Sequence, residues 1–217
     1  MKFLNYDSPI MSFLSKVADL FILNALTLIF SIPLVTIGAA TTAAHFAALK
    51  LRREEGHVIR NFWKSFKENL KQSTGIWLVF VAYCFIAITS FRLASQMGGK
   101  MATITRGVVL ATLILTVFLY VWVMPLQSKF YNPIRATFKN AFYMSFKYIL
   151  RTLLMVILNA IPVGTLFLNF FVLQLRGLSI WLLFGVSVPI YWCALLYDKV
   201  FEQLEEMILE KEQIETE

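Results

Sequence analysis

Long apolar stretches constrain this chain more than any other feature. Five of them are each close to the ~20 residues that a helix needs to cross the hydrocarbon core of a bilayer. They cover residues 17–37, 73–93, 104–126, 148–173 and 178–197. Charged residues make up only 15% of the chain, against roughly 25% in a typical soluble domain. The sequence therefore predicts an all-α, polytopic membrane bundle of about five transmembrane helices.

The apolar stretches divide the chain into two parts. Residues 1–197 are predicted to form a single transmembrane domain, and residues 198–217 an acidic cytoplasmic helix or tail. The four residues 174–177, QLRG, predict a tight antiparallel hairpin between the last two spans. The first stretch contains Asp19, Asn24 and Pro33, so a re-entrant segment remains an alternative to a full crossing.

Lysine and arginine are distributed unevenly between the predicted loops. Fourteen of the 20 lie in 50–71, 129–151 and the C-terminal tail, and six lie elsewhere. Basic residues collect on the cytoplasmic side of membrane proteins. With five spans, this predicts an N-terminus outside the cell and a C-terminus in the cytoplasm.

Two basic, aromatic segments resemble each other. They are FWKSFKENLK at 62–71 and FYMSFKYILR at 142–151. Their shared positions include Phe62, Phe66 and Lys67, which recur 80 residues later as Phe142, Phe146 and Lys147. This predicts an internal duplication, with two parallel helix hairpins at about 17–93 and 104–173 followed by a fifth helix.

The repeated segments have an amphipathic pattern. Their aromatic residues recur at helical spacing, and most of their lysines lie on other faces. Such helices lie in the headgroup layer and favour anionic lipids. We therefore predict cytoplasmic interfacial helices, which serve either as membrane anchors or as a docking surface for a partner. The excess of basic residues is assigned to lipid headgroups and not to nucleic acid.

Small and polar residues predict helix–helix contacts. Residues 38–44 are all Gly, Ala or Thr, with Gly38 and Thr42 four residues apart. This spacing lets helices approach closely, within the chain or with a partner, so a homo-oligomer is left open. Asn24 and Asn159 lie within predicted spans and are expected to hydrogen-bond across helices.

The sequence shows no pattern of residues typical of catalysis. His45 and His57 lack metal-site spacing, Cys84 and Cys193 lack Cys or His partners, and phosphate-binding glycine loops and GxSxG motifs are absent. We therefore predict no enzyme activity, metal or cofactor. Ionisable residues are scarce at membrane depth, which argues against an ion-coupled carrier and leaves an uncoupled solute path open.

Two stretches carry a resemblance to a known family. DLFILNALTLIFSIPLVTIGAATTAAHFAALKLRREEG (19–56) and FWKSFKENLKQSTGIWL (62–78) resemble the YesL family of small bacterial membrane proteins. The resemblance implies a bacterial inner (cell) membrane protein, often encoded near carbohydrate ABC importers, and brings no catalytic residues. It leads us to expect an accessory or regulatory subunit that contacts importer permeases. The alternative is a transport protein in its own right, either permease-like or an uncoupled transporter.

Overall fold

The computed structural model describes residues 9–96, 98–130, 132–171 and 178–216, and their regular structure is entirely helical. The helices are α1 (Pro9–Ser31), α2 (Ile37–Arg52), α3 (Val58–Gln96), α4 (Gly99–Lys129), α5 (Ile134–Lys147), α6 (Ile149–Phe171), α7 (Leu178–Phe184) and α8 (Ser187–Thr216), with a 3-10 turn at Leu34–Thr36. Six helical stretches in these ranges are long and apolar enough to cross a membrane. The predicted all-α membrane class is confirmed, and the predicted turn at 174–177 lies outside the described residues.

The breaks between helices have local causes. Pro33 disfavours helical geometry at the residue before it, and α1 ends at Ser31. Pro189 has no backbone N–H to donate to the residue four positions earlier, and the chain is interrupted between α7 and α8 at that place. Tyr148, with φ −114° and ψ 48°, separates α5 from α6.

Helix α2 lies at the centre of the bundle and contacts α1, α3, α4 and α8. Eleven of its 16 residues are buried, including Gly38, Thr42 and six alanines. The first predicted span ended at residue 37, which left this stretch in the connection that follows; the structure instead shows a helix that the other helices surround. Small side chains give it little apolar area, so it does not stand out as a span. They also let four helices pack around it.

Helix α3 is longer than one crossing requires. Its 39 residues extend about 58 Å at 1.5 Å per residue, nearly twice the ~30 Å hydrocarbon core. The basic segment 62–71 therefore continues directly into the apolar segment. The separate interfacial helix that was predicted for it does not form. The second basic segment, 142–151, is divided: its first six residues end the separate helix α5, and its last three begin α6.

Charged residues gather at one end of the bundle, which we call the charged end: Lys16, Arg52, Arg53, Glu54 and Asp198. Lys16 near the start of α1 binds Glu54 at 2.8 Å, and this hydrogen bond lowers the pKa of the Glu54 carboxyl. Arg52 and Arg53 at the end of α2 bind Asp198 on α8. Helix α1 therefore runs away from the charged end and α2 returns to it. The predicted five-span path had placed the residues before the first span and the 50–71 loop on opposite sides of the membrane. Because Lys16 pairs with Glu54, the two segments instead lie at the same end of the bundle.

Helices α2 and α3 approach each other closely where they cross at Gly38. A Cβ atom at this position would lie 2.4 Å from the Ser73 carbonyl oxygen and 2.5 Å from the Trp77 Cβ. Both atoms belong to or adjoin the α3 backbone, so they cannot move aside without moving the helix. The predicted tight contact at Gly38 is therefore a contact within the chain.

We expect Gly38→Ala to lower the free energy of unfolding by about 1–3 kcal/mol, because overpacking separates α2 from α3. Gly107→Ala in α4 is the matched control, since a Cβ there meets nothing within 4 Å and alanine favours a helix over glycine by up to about 1 kcal/mol. Thermal unfolding of the detergent-purified chain measures both. Equal melting temperatures for Gly38→Ala and the unmodified protein would contradict this packing.

Candidate functional site

The charged end is organised around a buried carboxylate on α8. The Asp198 side chain is only 3% exposed. Arg53 donates to Asp198 Oδ1 from Nε at 2.8 Å and lies 2.7 Å away through Nη2, and Arg52 binds Oδ2. A buried carboxylate is stable only when it is paired and hydrogen-bonded. The two guanidinium groups satisfy that requirement.

Further ion pairs extend this cluster to α4. Glu205, about two turns after Asp198, accepts from Arg53 Nη1 at 3.4 Å and also binds Lys129 at the end of α4. Glu202 lies 3.8 Å from Arg53 on the exposed side. The first part of the acidic segment therefore pairs with basic residues of this chain.

Beside the carboxylate, α2 and α8 share a buried polar pair. His45 Nδ1 lies 3.3 Å from Tyr197 Oη, and this hydroxyl donates to the His45 carbonyl oxygen at 3.2 Å. Tyr197 is fully buried and immediately precedes Asp198. The two residues therefore fix the register of α8 against α2 at the point where the ion pairs form.

A second buried polar network joins α3, α4 and α5. Gln127 donates to Asn69 Oδ1 at 3.1 Å, and its own side-chain oxygen accepts from Thr137 at 3.2 Å. All three residues are buried. Within a bundle of apolar helices, such a satisfied network specifies which faces meet. It holds the N-terminal end of α5 against the C-terminal end of α4.

The two predicted asparagines both bridge helices. Asn24 on α1 accepts from the backbone N–H groups of Val186 and Ser187 at 2.9 and 3.0 Å, and donates to the Leu182 carbonyl at 2.6 Å. It thus caps the start of α8 from a neighbouring helix, a role normally taken by the residue before the helix. Asn159 on α6 donates to the Met155 carbonyl at 2.8 Å and lies 3.3 Å from Cys193 Sγ on α8.

The two basic aromatic segments have different surroundings. Phe62 and Phe66 of α3 are buried, and Phe30 of α1 packs against both. The corresponding Phe142 and Phe146 of α5 are 51% and 52% exposed, with ring centroids 4.9 Å apart. The duplication therefore stays a prediction.

The lysines of the two segments make the same kind of contact. Lys67 lies 4.7 Å above the ring of Trp63, and Lys147 lies 5.4 Å above that of Tyr143. In both cases the aromatic residue is one helical turn earlier. A cation over a ring four residues away keeps both side chains along the helix surface.

Thr42 lies inside the bundle, with its hydroxyl 3.5 Å from Met124 Sδ on α4. Gly38 and Thr42 therefore belong to the centre, whereas Phe142, Phe146 and Lys147 belong to the surface. Sequence reasoning did not find the roles of Asp198, His45 and Tyr197. The available signal was Asp198 itself, an acidic residue directly after an apolar span. The same chain carries the adjacent Arg52 and Arg53, which are natural partners for a buried carboxylate. Within the described residues no three His, Cys, Asp or Glu side chains converge as metal ligands do.

Comparison with known proteins gives one family match. A family model described as "Protein of unknown function, DUF624" matches residues 20–91, which are 72 of the 217 residues. The matched segment contains α2, about half of α1 and most of α3, and it includes nearly all of the two stretches that resemble the YesL family. The YesL resemblance itself stays a prediction. No curated protein and no solved structure matches the chain.

We expect Asp198→Asn to reduce the free energy of unfolding by about 3 kcal/mol, because it leaves two partly buried arginines without their shared carboxylate. Glu206→Gln removes one negative charge from an exposed position on the same helix and should change stability by less than about 0.5 kcal/mol. Thermal unfolding in detergent measures both. Similar effects of the two substitutions would mean that the cluster adds only general surface electrostatics.

Proposed function

We propose that this protein is an integral-membrane accessory or regulatory subunit that works beside a carbohydrate ABC importer in a bacterial inner membrane. The burial of α2 is the observation that carries the proposal. Carriers usually keep a binding site near the middle of the bundle. Here the middle is filled by a helix whose Ala39, Ala40, Ala43 and Ala44 have no exposed surface. The described helices thus form a packed scaffold, and we assign its function to the outer surfaces.

The exposed aromatic pair on α5, Phe142 and Phe146, is the surface that we assign to the partner. On α3 the corresponding phenylalanines are covered by Phe30 of α1. No described helix of this chain covers the pair on α5 in that way, and Tyr143 beside it is 57% exposed. A partner helix with an apolar face would complete α5 as α1 completes α3. The carbohydrate importer is chosen from the sequence resemblance alone.

The positive-inside rule supports a cytoplasmic location for the charged end. Arg52, Arg53 and Lys129 lie there, and the exposed Arg60 and Lys64 follow in the first two turns of α3. We propose that the start of α1 and the acidic part of α8 both face the cytoplasm. This replaces the N-terminus-outside orientation predicted from five spans.

Replacing the aromatic pair should weaken the complex while leaving the fold intact. We expect Phe142→Ala with Phe146→Ala to reduce recovery of importer permeases with the tagged protein by about tenfold or more, because exposed aromatic residues often dominate interfaces. Phe85→Ala with Phe91→Ala removes two exposed rings from the apolar part of α3 and serves as the matched control. Co-purification in mild detergent is the measurement.

Two results would contradict this function. Permease recovery that does not depend on either pair of phenylalanines would exclude α5 as the contact. Solute flux into liposomes that contain this protein alone would favour the transporter.

Cysteine labelling tests the orientation. In a background lacking Cys84 and Cys193, we expect Ser12→Cys on α1 and Lys64→Cys on α3 to be protected from a membrane-impermeant maleimide in intact cells. Gly98→Cys in the α3–α4 turn should be labelled, because it lies at the opposite end of α3. Labelling of Ser12→Cys together with protection of Lys64→Cys would restore the five-span path.

A further inference from the structure

A cleft of about 290 Å³ opens at the turn between α2 and α3. We call it the basic cleft. Its walls are the end of α2, the turn and the first two turns of α3. The lining residues are Phe46, Lys50, Glu55, Gly56, His57, Arg60, Asn61 and Lys64.

The turn that forms the cleft has a fixed and unusual backbone. Glu54 and Gly56 both have positive φ, 58° and 74°, which is uncommon for a residue other than glycine. Asn61 holds this conformation by donating to the Glu55 carbonyl at 2.8 Å. The turn therefore fixes how the end of α2 and the start of α3, which carry the charged side chains, are placed around the cleft.

The charges within the cleft do not cancel. Lys50 binds Glu55, and this hydrogen bond lowers the pKa of the Glu55 carboxyl, so these two residues form a neutral pair. Arg60 and Lys64 lie four residues apart on the same face of α3. Neither forms an ion pair with the described residues. Two cationic side chains are thus left facing one concave space.

The cleft also has an apolar wall. Phe46 is half-buried and lies beneath the Lys50 ammonium, 5.8 Å from the ring centroid. A guanidinium and an ammonium beside an aromatic surface suit a ligand that has an anionic oxygen group and an adjoining carbon skeleton. Phosphate esters have this composition.

We propose that the basic cleft binds a phosphate group, held by Arg60 and Lys64 with Phe46 against the adjoining carbon atoms. A phosphate of this kind comes either from the headgroup of an anionic phospholipid or from a soluble phosphate ester. Arg60 supplies the planar, bidentate contact and Lys64 the point charge. The site is independent of the partner surface on α5, so either proposal can fail without the other.

General attraction of basic residues to an anionic membrane is the competing explanation. The chain provides a control for it, because Lys67 and Lys71 are also exposed lysines on α3 but do not line the cleft. If general surface attraction explains ligand binding, replacing any of the four basic residues should weaken it about equally. If the cleft is a site, binding should depend on Arg60 and Lys64 alone.

The test compares Arg60→Gln with Lys64→Gln against Lys67→Gln with Lys71→Gln, each in the full-length chain in a neutral detergent. Phosphatidylglycerol, phosphatidylcholine and glycerol 3-phosphate are titrated separately. Binding is followed by the rise in melting temperature and by the lipid retained in native mass spectrometry. We expect the first double variant to bind about tenfold or more weakly, since each replaced residue makes a charge-assisted hydrogen bond. The control should change affinity by less than about threefold.

The three ligands separate the sources of the phosphate. Saturable binding of phosphatidylglycerol that needs Arg60 and Lys64, with none of glycerol 3-phosphate, assigns the cleft to a lipid headgroup. Binding of glycerol 3-phosphate with the same dependence assigns it to a soluble ester. Equal losses in the two double variants, or binding that neither variant changes, would overturn the proposal. Melting temperatures without ligand show that both variants fold.

Discussion

The close approach of α2 to α3 is the constraint on which the rest of the structure depends. Because residue 38 has no side chain, α2 lies directly against the α3 backbone at Ser73 and Trp77. The alanines that follow continue this contact toward the charged end. In a membrane, where lipid is as apolar as the helix surface, association relies on such close packing and on hydrogen bonds between helices. A central helix of larger side chains would push α1, α4 and α8 outward together.

The polar residues act where close packing alone would leave α2 free to slide or rotate. His45 and Tyr197 fix α8 against α2, Asn24 ties α1 to the start of α8, and Arg53 reaches Asp198. Each of these contacts joins segments more than 140 residues apart in the chain. Burial of Asp198 is unfavourable by itself, and its two arginines offset that desolvation. The ion pairs thus serve mainly to select one arrangement of helices.

The sequence predicts some of these features because their signals are local. Long apolar stretches identify most of the helices, Gly38 with Thr42 identifies a close contact, and an asparagine within a span indicates a bond between helices. The central position of α2 could not be predicted, since its small residues give weak hydropathy and only tertiary packing distinguishes it from a loop. The wrong direction predicted for α1 followed from that error. When one helix between Lys16 and the 50–71 segment is missed, Lys16 is assigned to the opposite side of the membrane. Likewise, the identical residues at 62–67 and 142–147 could not indicate that only the first set is covered by α1.

That last difference is the reason for assigning the proposed partner surface to α5. Similar sequences on α3 and α5 place an aromatic ring under a lysine in the same way, so the two helix surfaces are built alike. The first is completed by Phe30 within the chain, whereas the second exposes Phe142 and Phe146. Lipid could cover the exposed rings on α5. Lipid could equally have covered the rings on α3, yet there a helix of the chain itself covers them. Since the fold covers one surface and leaves the other open, the open surface on α5 is the better candidate for a contact with a second protein.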